Sequence, residues 1–214
     1  MSTIPTIVTA LLIGITSTQP SPDTVWALVD AAVEADEDDR KEILAEAEAR
    51  ARATLTGDEG SIERRYALAV VLGMRANTEG GQSKVRAAAE MHEQLAAILE
   101  VEPEHVGARH LLGRLHAGVR RMSRVTRWIA TNLLGGGELK RATWEAAEEN
   151  LAYAERLAPE VPDHHLQLAL LYRDTDRPDL AAEEIRHVMA LQAGSAQDLA
   201  VQAEASAVWA QLQD

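Results

Sequence analysis

The residues best suited to chemistry lie in Arg127–Trp144, "RWIATNLLGGGELKRATW", where three consecutive glycines precede a lysine and a threonine. A phosphate-cradling loop needs a strand, then Gly, four residues, Gly-Lys-Ser/Thr, so that successive backbone N–H groups face the anion. Here Gly135, Gly136 and Gly137 are consecutive, Lys140 is followed by Arg141, and no strand pattern precedes them. That chemistry is excluded by spacing. The glycines instead read as the end of one helix and a left-handed reversal before a helix opening at Trp144, with Thr143 as its N-cap.

Other constellations fail in similar ways. His110 and His116 are six residues apart and diverge around a helix, while His164 and His165 are adjacent and diverge too. No His-Glu-x-x-His helix occurs, so no metal is expected. The acidic run "EADEDD" (34–39) lacks the glycine and terminal glutamate of a calcium loop and reads as a solvated turn between helices. No Gly-x-Ser-x-Gly occurs, and the absence of cysteine excludes thiolate ligands, disulfides and thiol nucleophiles. The expectation is a non-enzyme without cofactor or small-molecule substrate.

Composition says what carries these residues. The 214-residue chain is 46% hydrophobic with no Phe, three Tyr and four Trp, and is rich in Ala, Leu, Glu and Arg. Such usage favours helices over sheets, and the fold class is all-α. A net charge of −13 argues against nucleic-acid binding. The charge is unevenly placed. Residues 21–60 carry twelve acids and four basic groups, whereas 109–141 carry eight basic groups and a single acid, Glu138.

Residues 1–20 contain a short apolar run from Ile7 to Ile15, too short for a bilayer span of about 20 residues. Its length suits a signal-peptide core, with Thr16 and Thr18 spaced like a cleavage site and Pro20 and Pro22 as a break, but no Lys or Arg precedes Arg40. The segment therefore reads as a signal peptide, directing export to the periplasm or beyond. The alternative is an apolar tail on a cytoplasmic protein.

Residues 21–214 carry an internal repeat. "LLYRDTDRPDLAAEEIRHVMAL" is two amphipathic helices split by a turn at Asp174, Asp176 and Pro178, with small residues at Ala169 and Ala181. The same frame places Leu112, Gly113 and His116 on a first helix, and Ala147, Leu151, Ala154 and Pro159 on a second. Upstream it fits Leu68, Ala69 and Leu72, then Met91, Leu95, Ile98 and Pro103. This frame resembles a tetratricopeptide repeat, in which small residues let paired antiparallel helices cross closely. With a pair at the N-terminal end, the expectation is one right-handed α-solenoid of about four helix hairpins and a C-terminal capping helix over "SAQDLAVQAEASAVWAQL". An irregular helical bundle of the same elements is the alternative. Pro103 and Pro159 are 56 residues apart, against a repeat length of about 34. The excess falls at about 118–143, an insertion between the two helices of one repeat.

Within the insertion Met122, Val125, Ile129 and Leu133 share one side of a helix, and Arg120, Arg124 and Arg127 another. Two readings stand. Either an elongated first helix packs its apolar stripe on the array and turns its arginines to solvent, or Arg120, Arg124, Arg127 and Trp128 form a cationic contact for an acidic partner or anionic lipid. A solenoid's inner helices form a concave surface suited to an extended peptide. In this frame that face carries Tyr66, Val70, His110, Arg114, Leu166, Leu170 and Arg173. Arg114 and Arg173 could grip a carboxylate on a protein or peptide, or pair with neighbouring acids.

Over residues 60–192 the chain resembles the regulator of microtubule dynamics family and its bacterial tetratricopeptide-like relatives. Leu112, Gly113 and Arg114 match the family's first-helix signature, and Met122 and Ser123 stand at its Leu-Ser position. Ile129 to Gly135 stand in place of its "ATLFG"-like end, and Thr143 to Ala147 open the second helix. The pattern departs at Leu115 and Leu134, where the family has Trp and Phe. The resemblance implies a non-catalytic helical-repeat scaffold with a protein or peptide partner, and the apolar N-terminus fits the exported bacterial members. Microtubule binding does not carry over.

Overall fold

The computed structural model describes residues 22–213, and the apolar segment at 1–20 lies outside them. Among the described residues there are ten α-helices and one short 3-10 turn, and no strand. The helices are α1 (Pro22–Glu34), α2 (Glu37–Gly57), α3 (Ile62–Thr78), α4 (Gly81–Val101) and α5 (Val106–Arg121). They continue as α6 (Arg124–Asn132), α7 (Trp144–Leu157), α8 (Pro162–Asp174), α9 (Pro178–Ala190) and α10 (Ala196–Gln213). The 3-10 turn, Gly137–Arg141, lies between α6 and α7.

Local signals set most boundaries. Asp36, Ser61, Ser123 and Thr143 cap α2, α3, α6 and α7 by accepting backbone N–H bonds three residues on. Asp36 thereby draws most of the expected acidic turn into α2, whose first turn holds Glu37, Asp38 and Asp39, favourably placed on the helix dipole. Pro162 and Pro178 occupy first helical positions, where a missing N–H costs nothing. Pro103 and Pro159 each follow the C-cap residue of a second helix, α4 and α7.

Four hairpins result, α1/α2, α3/α4, α5/α7 and α8/α9, and α10 closes the stack against α8 and α9. Among the described residues each hairpin packs chiefly on its neighbours, and the core is correspondingly serial. One apolar cluster spans α1 to α5, a second links α5, α7 and α8, and a third joins α8, α9 and α10. This nearest-neighbour stacking defines an α-solenoid. Small residues make the crossings possible. Ala47, Ala69, Ala147, Ala154, Ala169 and Ala181 are fully buried. A Cβ at Gly113 would lie 2.6 Å from Leu151 Cγ and 3.0 Å from the Ala147 carbonyl, so only glycine lets α5 meet α7 this closely.

The insertion departs from the single elongated helix that its periodicity suggests. The backbone turns extended at Met122, and the Ser123 hydroxyl caps a new helix at the Thr126 N–H, 3.1 Å away. After α6, Gly135 adopts φ +87°, the expected left-handed reversal. The Gly136 N–H bonds the Ala130 carbonyl at 3.0 Å, folding the chain back so that Leu139 and Ala142 enter the α1–α5 core.

Candidate functional site

Which side of α6 meets the body is the main surprise of the insertion. At 100° per residue Val125, Trp128, Ile129 and Leu133 share an arc of about 140°. That arc points outward. Val125 is 69% exposed, Trp128 57%, Leu133 62% and Ile129 37%. The residues facing the body are the small Ala130 and Thr131, both buried, together with Arg127, whose guanidinium Nη1 donates to the Arg120 and Met122 carbonyls at 3.2 Å each. The expectation of an inward apolar stripe is therefore reversed, and that of outward arginines holds for Arg124 but not for the folded-back Arg127. Ala130, which belongs to the α1–α5 core cluster, and the folded-back Arg127 occupy the inward side of α6. Leu139 from the 3-10 turn supplies the apolar anchor instead.

Beside the outward stripe, Arg120, Arg124, Arg127 and Lys140 converge with Trp128 on a shallow cleft of about 300 Å³ floored by Thr131, Leu139 and Ala142. Arg124 and Lys140 are exposed, and Arg120 and Arg127 half-buried. The Arg120 Nε is buried and meets no hydrogen-bond acceptor among the described residues. Exposed apolar residues are ordinary when scattered, whereas a contiguous group rimmed by charge marks an interaction surface. No helix of the described residues is long and apolar enough to cross a membrane.

The concave-face candidates fare differently from one another. His110 and Arg114, one turn apart on α5, both reach Asp163 at the start of α8. His110 Nε2 lies 3.0 Å and Arg114 Nη1 3.1 Å from Asp163 Oδ2, and Gln167 Nε2 donates to Oδ1 at 2.9 Å. Burial raises the Asp163 carboxyl, but the hydrogen bond from His110 and the charge of Arg114 outweigh it and hold it well below the ordinary carboxylate range. Arg173 pairs with its neighbour Asp174 at 3.0 Å. Both arginines thus already have carboxylate partners. Leu166 is fully buried in the α8–α10 core, with Leu170 half-buried against it. Tyr66 packs its ring between Trp26 and His105, at 6.0 and 4.8 Å, and is half-buried, as is Val70 beside the first core cluster.

The buried histidines form pairs that spacing along the chain conceals. His92 stacks on His116 at 5.5 Å, where His92 Nδ1 and both His116 nitrogens meet no partner among the described residues. Burial, reinforced by His92, lowers His116 to about 4. His164 lies 4.7 Å from His110 and is also lowered to about 4, by burial and then by that neighbour. His165, Glu184 and His187 meet between α8 and α9. Asp163, an acid in the first turn of α8, and Glu184, an acid in the middle of α9, had no other mark in the sequence.

Comparison with known proteins came to the same architecture. A model of the family described as regulator of microtubule dynamics protein 1-3 matches residues 11–213. Among solved structures, the crystal structure of TTC0263, described as a thermophilic TPR protein in Thermus thermophilus, superposes with a TM-score of 0.55. The alignment has 19% identity and covers 88% of this chain and 89% of that one. At that identity the likeness speaks to the fold alone. No curated protein matches the sequence significantly.

Proposed function

The chain belongs to the regulator of microtubule dynamics protein 1-3 family, and from that premise we propose that it is a non-catalytic scaffold engaging a protein partner through the outward face of α6. A TPR-like helical-repeat fold suggests protein interaction in general. One observation carries the finer reading: a nine-residue helix presents Val125, Trp128 and Ile129, with Leu133 at its cap, away from the body it is anchored to. Exposing that much apolar surface is costly in water unless something covers it. Tryptophan and arginine, which Trp128 and Arg124 bring together here, are among the residue types most enriched at binding hot spots. The concave positions offer less, since Leu166 is in the core and Arg114, His110 and Arg173 hold internal carboxylates.

The cationic cleft supports a second reading, a peripheral tether on anionic lipid. Trp128 and its apolar neighbours would sit at headgroup depth, with Arg120, Arg124 and Lys140 against phosphate. The net charge of −13 weighs against it, because the rest of the surface is repelled by the same membrane.

Co-purification and vesicle flotation separate the readings, using Val125→Ser/Trp128→Ser/Leu133→Ser and, for the concave face, Arg114→Glu/Arg173→Glu. The proposal expects a protein partner that is lost with the α6 variant and kept with the concave one. A partner lost only with the concave variant overturns the site. Flotation of the purified chain with phosphatidylserine vesicles, abolished by high salt, would make the tether the correct reading.

A further inference from the structure

The structure assigns to His165, Glu184 and His187 a site for a first-row divalent transition metal, independent of the α6 surface and in the next hairpin, α8/α9. Glu184 and His187 are three residues apart on α9, so their side chains stack on one face, and His165 approaches from α8. Their three ligand atoms, one from each side chain, all lie within 4.8 Å of one another. Glu184 Oε2 is 2.8 Å from His165 Nδ1 and 3.8 Å from His187 Nδ1. Ligands around a tetrahedral zinc are about 3.3 Å apart, and two imidazoles on one such ion have ring centres about 5 Å apart. The His165 and His187 ring centres are 5.1 Å apart in an edge-on arrangement.

The outer contacts point the same way. His165 Nε2 lies 2.9 Å from the Pro159 carbonyl. A carbonyl only accepts, so Nε2 carries the hydrogen and Nδ1 faces the Glu184 carboxylate. A proton shared on Nδ1 gives an ion pair; a metal in its place gives the histidine–carbonyl support common around ligating imidazoles. His165 is only 4% exposed, Glu184 is largely buried, and His187 is about half exposed at the rim. The set is therefore open to solvent on one side. Two imidazoles and one carboxylate leave a fourth position for water, and this nitrogen–oxygen set suits zinc, cobalt or nickel better than calcium or magnesium.

The test uses the full chain without a histidine tag. Calorimetric titration with zinc is joined by the visible spectrum with cobalt, whose tetrahedral d–d bands report geometry. Glu184→Gln and His187→Ala are compared with wild type, with helical signal by circular dichroism as the folding check. His187→Ala leaves the His165–Glu184 ion pair intact and removes only a rim side chain. The expected result is one ion per wild-type chain, with affinity falling by about tenfold or more in each variant, and a zinc-dependent rise in melting temperature confined to wild type. No saturable one-to-one binding by wild type, or equal affinity in wild type and His187→Ala, overturns the assignment.

Discussion

Replacing His116 by leucine should make the protein less sensitive to acid. His116 is buried on α5 against His92, and neither ring nitrogen has a hydrogen-bond partner among the described residues. Burial and the neighbouring imidazole lower it from 6.5 to about 4. The folded state therefore refuses a proton that the unfolded chain accepts. Its stability is intact above pH 6.5 and drains away as pH falls toward 4. At pH 5 the unfolded side chain is almost fully protonated and the folded one about a tenth so, which integrates to a loss of about 2 kcal/mol between pH 7 and 5. Against a domain stability of about 5–15 kcal/mol that is large. His164, lowered to a similar value, adds a slope of the same sign, while the raised His165 contributes fully throughout pH 6.5 to 5 and adds no slope there. Urea unfolding followed by circular dichroism at pH 7, 6 and 5 measures the difference. His116→Leu should equal or exceed wild type at pH 7, because two unpaired buried polar atoms are gone, and should lose about 2 kcal/mol less on going to pH 5. Equal losses in the two proteins would refute the reasoning, because the titrating group would then lie elsewhere.

Three further outcomes are expected. Gly113→Val should destabilise by about 1–3 kcal/mol in thermal melts, because its Cβ meets Leu151 and the Ala147 carbonyl. Thr143→Ala should cost about 1 kcal/mol by removing the acceptor for the Ala146 N–H, 3.0 Å away. Asp163→Asn, which replaces the carboxylate shared by His110 and Arg114 with a neutral group, should cost about 2 kcal/mol in urea unfolding. Because Asp163 titrates well below its ordinary value, its stabilising effect is lost only as pH falls below that ordinary value of 3.8. The gap between Asp163→Asn and wild type should therefore stay constant from pH 7 to 5.

Much of the array was legible because it is written in local signals. The small residues at Gly113, Ala147, Ala154 and Ala181, the prolines after α4 and α7, the Thr143 cap and the Gly135 reversal each act within a few residues, and together they place four hairpins and the capping helix. The insertion shows where such reading stops. Periodicity identifies an apolar stripe on α6 but not which side turns inward: Ala130 and Thr131 are the buried residues of the helix, and Trp128 stays exposed. The break at Met122 was hidden as well, since Ser123 reads as a helix interior until its hydroxyl is seen capping Thr126. Contacts between repeats were the least accessible. Asp163 lies 53 residues from His110, and Glu184 lies 19 from His165. Sequence spacing carries no trace of pairs that only the stacking of hairpins creates.

The most direct measurement places a photo-cross-linking amino acid at position 128, on the outward face of α6, and in a second protein at position 170, the half-buried concave-face candidate on α8. Each is irradiated in cells of the source organism. A discrete protein adduct is expected from position 128, weakened by Val125→Ser/Leu133→Ser and absent from position 170. Adducts from position 170 alone would contradict this expectation and return the contact to the concave face.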